Sequence, residues 1–157
     1  MAANTSFITP LTPSIGTTKL GTTSAQIKSD GTSSGSGTDL MYCVFATGAN
    51  GSFIQRIRFN VVASAATTSA ASTLRIYIST VSTSVGSAAG ATTTTDTQLY
   101  AEISVPAIAA ASTTIATNYY EVPMNIALPT GKYILVSQAV AQTTNQQWQA
   151  TAFCGDY

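Results

Sequence analysis

Beyond residue 38, apolar residues return at every second position in short runs, each closed by Gly, Pro, Ser, Thr or Asn. A period of two places alternate side chains on opposite faces of an extended chain, so the pattern restricts the fold to β-structure. Leu40 to Ala46 is an apolar run of strand length, followed by Gly48-Ala49-Asn50-Gly51. Asn-Gly between two apolar runs predicts a hairpin. In Phe53 to Val62 the spacing sets Phe53, Ile57, Phe59 and Val61 on one face, against Arg56, Arg58 and Asn60 on the other. Leu74, Ile76 and Ile78 alternate with Arg75 and Tyr77, and Leu99, Ala101, Ile103 and Val105 with Tyr100, Glu102 and Ser104. A long Ser/Thr/Gly loop separates those two runs. Thr113 to Val122 reads as a further strand, cut off by Pro123 from Met124 to Leu128. Pro129-Thr130-Gly131-Lys132 is a turn with type II residues. Tyr133 to Ala141 and Gln146 to Cys154 complete the set, with Trp148, Ala150, Ala152 and Cys154 sharing a face. About eight strands after residue 38, with no amphipathic helix, predict an all-β, two-sheet antiparallel sandwich, jelly-roll-like.

Residues 1–37 differ in composition. Pro10, Pro13 and scattered Gly and Thr separate short apolar pieces such as Phe7-Ile8, and Gly31 to Gly37 is a Gly/Ser/Thr segment. This stretch is expected to be an extended N-terminal arm able to add a strand or two, with residues 38–157 as the sandwich domain.

Charge excludes several functions. Charged residues are 8% of the chain, against about 25% in an average soluble protein. The chain carries 27 Thr, 18 Ser and 24 Ala, and its net charge is zero. With 45% hydrophobic residues the bulk should fold rather than remain disordered, and near-zero net charge favours association. Nucleic-acid-binding arms work by neutralising many phosphates; this one has only Lys19 and Lys28, against Asp30. No nucleic acid is therefore expected as partner. No uncharged stretch is apolar enough to span a bilayer, so no membrane is expected either. Met1 to Ser6 has neither the basic nor the apolar region of a secretory leader, which points to assembly in the cytoplasm.

Catalytic chemistry finds little to work with. The chain has no histidine, so Ser-His-Asp and Cys-His arrangements are excluded. Asp30, Asp39, Asp96, Glu102, Glu121 and Asp156 are scattered over loops and strand faces, and no nucleotide or calcium motif occurs. Cys43 and Cys154 lie far apart in sequence and form no metal pattern; they read as small buried apolar residues, with a disulfide between them as the alternative. The expectation is a protein that is not an enzyme and takes no cofactor. Tyr119, Tyr120 and Trp148 raise the idea of stacking on sugar rings, but Trp148 shares its face with Ala150 and Ala152, which points inward. Arg56, Arg58 and Arg75 are expected to cluster on the outer face of neighbouring strands, as edge protection or as partners for carboxylates of another protein.

Several segments carry a resemblance. Thr47-Gly48-Ala49-Asn50-Gly51-Ser52 leads into Phe53-Ile54-Gln55-Arg56-Ile57-Arg58-Phe59, and Leu74-Arg75-Ile76-Tyr77-Ile78 follows. Ala127-Leu128-Pro129-Thr130-Gly131 precedes Tyr133, and the chain ends in Trp148 to Tyr157. Over residues 15–157 the chain resembles a family of small virion structural proteins of tailed bacteriophages, whose members often carry Gly where Cys154 stands. The resemblance implies a virion protein of sandwich fold, a capsid decoration (cement) protein on the head surface. Its expected partners are further copies of itself, as a homotrimer, and the major capsid protein of the shell. The expected contact residues are Phe7, Ile8, Lys19 and Lys28 of the arm together with Arg56, Arg58 and Arg75. Alternatives are a tail- or fibre-associated virion component and a carbohydrate-binding attachment module.

Overall fold

A computed structural model describes residues 12–20, 41–63, 68–89, 92, 95–108, 119–142 and 146–157. They form eight strands: β1 (Thr12–Lys19), β2 (Tyr42–Ala46), β3 (Ser52–Ala63), β4 (Ser72–Ser79), β5 (Thr97–Val105), β6 (Tyr119–Leu128), β7 (Tyr133–Gln138) and β8 (Gln146–Asp156). Two four-stranded sheets, ordered β1-β8-β3-β6 and β2-β7-β4-β5, are antiparallel throughout. Strand β1 pairs with β8, β2 with β7, β3 with β6 and β4 with β5. That nesting is one long hairpin rolled across two sheets, which is the jelly-roll arrangement.

The core between the sheets follows the period of two. Trp148, Ala150 and Ala152 of β8, Ile57, Phe59 and Val61 of β3, Leu74 and Ile76 of β4, and Ile134 and Val136 of β7 are all buried in one cluster, with Cys154 packed against it. Strands β1 and β2 of the two sheets approach closely at Gly16. A Cβ placed there would sit 1.9 Å from the carbonyl oxygen of Val44, so only glycine lets β1 lie against β2.

Four expectations about strands need correction. First, the Asn50-Gly51 turn does not close a hairpin. Gly51 N–H donates to Gly48 (3.1 Å) and Gly51 takes a φ of 92°, yet the strands it joins belong to opposite sheets. The turn is instead anchored to the end of β8, where Tyr157 N–H donates to Gly51 (3.2 Å).

Second, Pro123 does not break a strand. β6 lies at the edge of its sheet, where one side of the backbone has no ladder partner to lose. Seven strands therefore follow residue 38, and the eighth, β1, comes from the stretch expected to be an arm. Residues 1–11 and 21–40, and with them the boundary at 37/38, lie outside the described residues; so do Thr113 to Asn118.

Third, Phe53 does not share a face with Ile57. The register of β3 slips between Ile54 and Arg56 against both neighbours, and this bulge flips the alternation. Ile54 is buried in the core instead, and Phe53 turns outward. Fourth, a slip between Ile76 and Tyr77 in the β4–β5 ladder pairs Leu99 with Tyr77, which places Leu99 on the outer face rather than with Ala101.

Candidate docking face

The outer face of the β1-β8-β3-β6 sheet collects the residues that are hard to explain as packing. Cross-strand pairing sets them in rows. Pro13, Gly155, Phe53 and Ala127 form the first, and Ile15, Phe153, Arg56 and Pro123 the second. Thr17, Thr151, Arg58 and Glu121 form the third; Lys19, Gln149, Asn60 and Tyr119 the fourth. The face therefore runs from apolar at one end to charged and polar at the other. At the apolar end Gly155 supplies no side chain, leaving an open groove of about 370 Å³ lined by Pro13, Ile15, Phe53, Phe153 and Gly155, with Ser14, Gln55 and Cys154. Ile15 is 68% exposed, the largest exposure of any large apolar residue among those described.

Arginines border the groove. The Arg58 Nε donates to Glu121 Oε1 (2.8 Å), and Arg56 Nε lies 3.2 Å from the same oxygen, close enough for an ion pair but not aligned as a hydrogen bond. Arg56 donates through Nη1 to Gln55 (2.6 Å). Its guanidinium stacks 4.3 Å from the Phe153 ring centroid, and that of Arg58 sits 4.4 Å from that of Tyr119. Such cation–π contacts position each guanidinium, and both side chains remain about one-third exposed. With Lys19 exposed in the last row, the described residues of this face carry three cationic side chains and one carboxylate, of which Arg56 and Arg58 engage Glu121.

The expected arginine cluster is only partly formed. Arg56 and Arg58 stand together, but Arg75 belongs to β4, in the other sheet. There its side chain is 10% exposed and pairs with Glu102 at 3.2 Å. Arg56 and Arg58 alternate with the buried Ile57 and Phe59, and Arg75 with the buried Leu74 and Ile76, as expected; spacing within a strand does not show which strands share a sheet. Phe7, Ile8 and Lys28 lie outside the described residues. Sequence reasoning missed Pro13, Ile15, Phe53 and Phe153. The signal for Phe153 was present: it is apolar at a position where the period of β8 demands an outward side chain.

Among the described residues, no group of three His, Cys, Asp or Glu side chains comes close enough to hold a metal ion. Glu121 engages Arg56 and Arg58, Glu102 engages Arg75, Asp156 accepts from the Ser52 hydroxyl, and Asp96 accepts from Thr97 (2.8 Å). Trp148 is fully buried, edge-on to Tyr120 with ring centroids 5.9 Å apart, which removes it as a platform for sugar rings. Both cysteines are free. Burial pushes the Cys43 thiol up to about 11. Burial, then the nearby Asp156 charge, pushes Cys154 to about 12. Each stays protonated and a poor nucleophile at neutral pH. A scan against protein-family models finds no match, and a search of the curated proteins finds none either.

Proposed function

We propose that the chain is a tailed-bacteriophage virion structural protein, a capsid decoration protein that docks on the head shell through the outer face of the β1-β8-β3-β6 sheet. The observation that carries the docking role is the apolar groove beside Arg56 and Arg58, which no described residue covers. Apolar surface rimmed by polar groups and enriched in aromatic and Arg side chains is the composition of protein–protein contact sites. The virion role rests on the resemblance read from Thr47 to Phe59 and from the closing segment Trp148 to Tyr157. The jelly roll is compatible with that role and does not by itself select it.

The proposal extends to a symmetric homotrimer. Three copies would bring three docking faces to the shell, and linked contacts of modest strength then hold firmly. The test is the copy number of the chain in purified particles, by quantitative mass spectrometry against the major shell protein. Hundreds of copies per particle are expected. A handful would move the protein to the tail, and none would overturn the virion role. Any truncation must stop before Thr12, because β1 belongs to the sandwich. Removing residues 1–11 tests whether Phe7 and Ile8 contribute to shell binding.

A further inference from the structure

We infer that the groove and its arginines form a composite site for an acidic, apolar protein segment: one aromatic or branched aliphatic side chain seated over Pro13, Ile15, Phe53 and Phe153, and one carboxylate set against Arg56 and Arg58. The inference rests on the docking role proposed above and adds the chemistry of the partner.

Charge decides the occupant. Arg56 and Arg58 share a single carboxylate oxygen of Glu121, and Lys19 adds a third cation to the same face. Closing this surface under a neutral apolar cover would desolvate charge without answering it. A carboxylate at the site answers it and receives the planar fork that arginine offers. A second copy docking face to face would set like charges together, since a two-fold contact places the same patch on both sides. Residues 1–11 bring no acidic side chain, so the chain's own beginning does not match the site. Three cations are also too few to hold a nucleic acid against physiological salt.

Shape agrees. A volume of about 370 Å³ lies at the small end of ligand pockets, roughly 300–1,000 Å³. Those pockets enclose their ligands, whereas this groove is open along the sheet, which suits a side chain delivered from a passing backbone. Both halves of the site lie on adjacent rows of one sheet: Phe153 pairs with Ile15 on one side and Arg56 on the other. The apolar side chain and the carboxylate of the partner must therefore lie within a few residues of each other, because an extended chain advances about 3.3 Å per residue.

The test is selection of a randomised dodecapeptide library on the immobilised full-length chain, with affinities of the selected peptides then measured in solution. Enriched sequences are expected to place Phe, Tyr, Trp, Leu or Ile within four residues of Asp or Glu. Binding should weaken about tenfold or more, roughly 1.4 kcal/mol, in Ile15→Ser and in Arg56→Gln/Arg58→Gln. Val85→Ser, at an exposed position of the β4–β5 segment, should bind as the parent does. Melting curves of the same samples establish that each variant is folded. No enrichment, enrichment of basic sequences, or unchanged affinity in the folded Ile15 and arginine variants would overturn the inference. So would markedly tighter peptide binding by a chain lacking residues 1–11, which would identify that segment as the occupant. The copy number in particles is read separately, so failure of the peptide selection leaves the virion role standing, and the converse also holds.

Discussion

The two outer faces of the sandwich start from the same problem and solve it differently. Each sheet turns large apolar side chains away from the shared core. In the β2-β7-β4-β5 sheet Cys43, Tyr77 and Leu135 are buried in a second cluster with Met41 and Ala89, while Leu99, paired with Tyr77, stays partly exposed. The cover comes from the chain itself. The segment after β4 runs back along the free side of β2, where Cys43 N–H donates to Ser87 (3.0 Å), Gly86 N–H to Cys43 (2.8 Å) and Ala89 N–H to Met41 (2.7 Å). In the β1-β8-β3-β6 sheet, Ile15, Phe53 and Phe153 find no such cover among the described residues. Tyr77 is 1% exposed and Ile15 is 68% exposed. The Ser/Thr/Gly stretch between β4 and β5 is thus structural on one side of the molecule, whereas among the described residues the other side has no equivalent.

The comparison breaks most visibly through stability. Leu135→Ala, beneath the cover, should cost about 2–5 kcal/mol by removing buried methyl groups and leaving a cavity. Chemical denaturation measures it, and a cost below 1 kcal/mol would mean that the cover does not pack. Gly16→Ala should cost about 1–3 kcal/mol, the usual range for overpacking, and should also impair docking, because Pro13 and Ile15 sit on β1. Glu121→Gln should cost at most about 1 kcal/mol, as expected for a solvent-exposed ion pair, while raising affinity for acidic peptides. Ile15→Ala on the open face should stay within about 0.5 kcal/mol of the parent; a larger loss would show that Ile15 is packed in solution.

The smallest effect at neutral pH comes from the thiols. Folding raises the pKa of Cys43 and Cys154 from an ordinary 9.0 to about 11 and about 12. Between pH 9 and those values the unfolded chain loses protons that the folded chain keeps, so stability falls as pH rises and is unaffected near pH 7. Denaturation midpoints across alkaline pH check this, and the fall should be shallower in Cys43→Ala.

The two faces were unequally legible in the sequence. Alternation in Leu74-Arg75-Ile76-Tyr77-Ile78 correctly sets Arg75 and Tyr77 outward, because local pleat alone governs it. It cannot say that a loop then buries Tyr77, since burial depends on where distant residues return. Bulges at Gln55 and Tyr100 shift the period within single strands, which hid Phe53 and Leu99 from a count of alternate positions. Asn50-Gly51 and Pro129 to Lys132 were recognised as turns, but turn chemistry does not distinguish a hairpin from a crossing between sheets. Arg56 and Arg58 were found by spacing within one strand. Their separation from Arg75 required the sheet order, and the groove required β1 to lie beside β8, a pairing of the two ends of the fold.

Oxidative footprinting of the free chain and of the assembled particle tests the central claim most directly, by comparing hydroxyl-radical labelling of Phe53, Phe153 and Ile15 in each. Assembly on the shell should protect all three and leave Val85, exposed on the β4–β5 segment, labelled as before. Equal labelling of Phe53, Phe153 and Ile15 in both states, or protection at Val85 alone, would contradict docking through the open face.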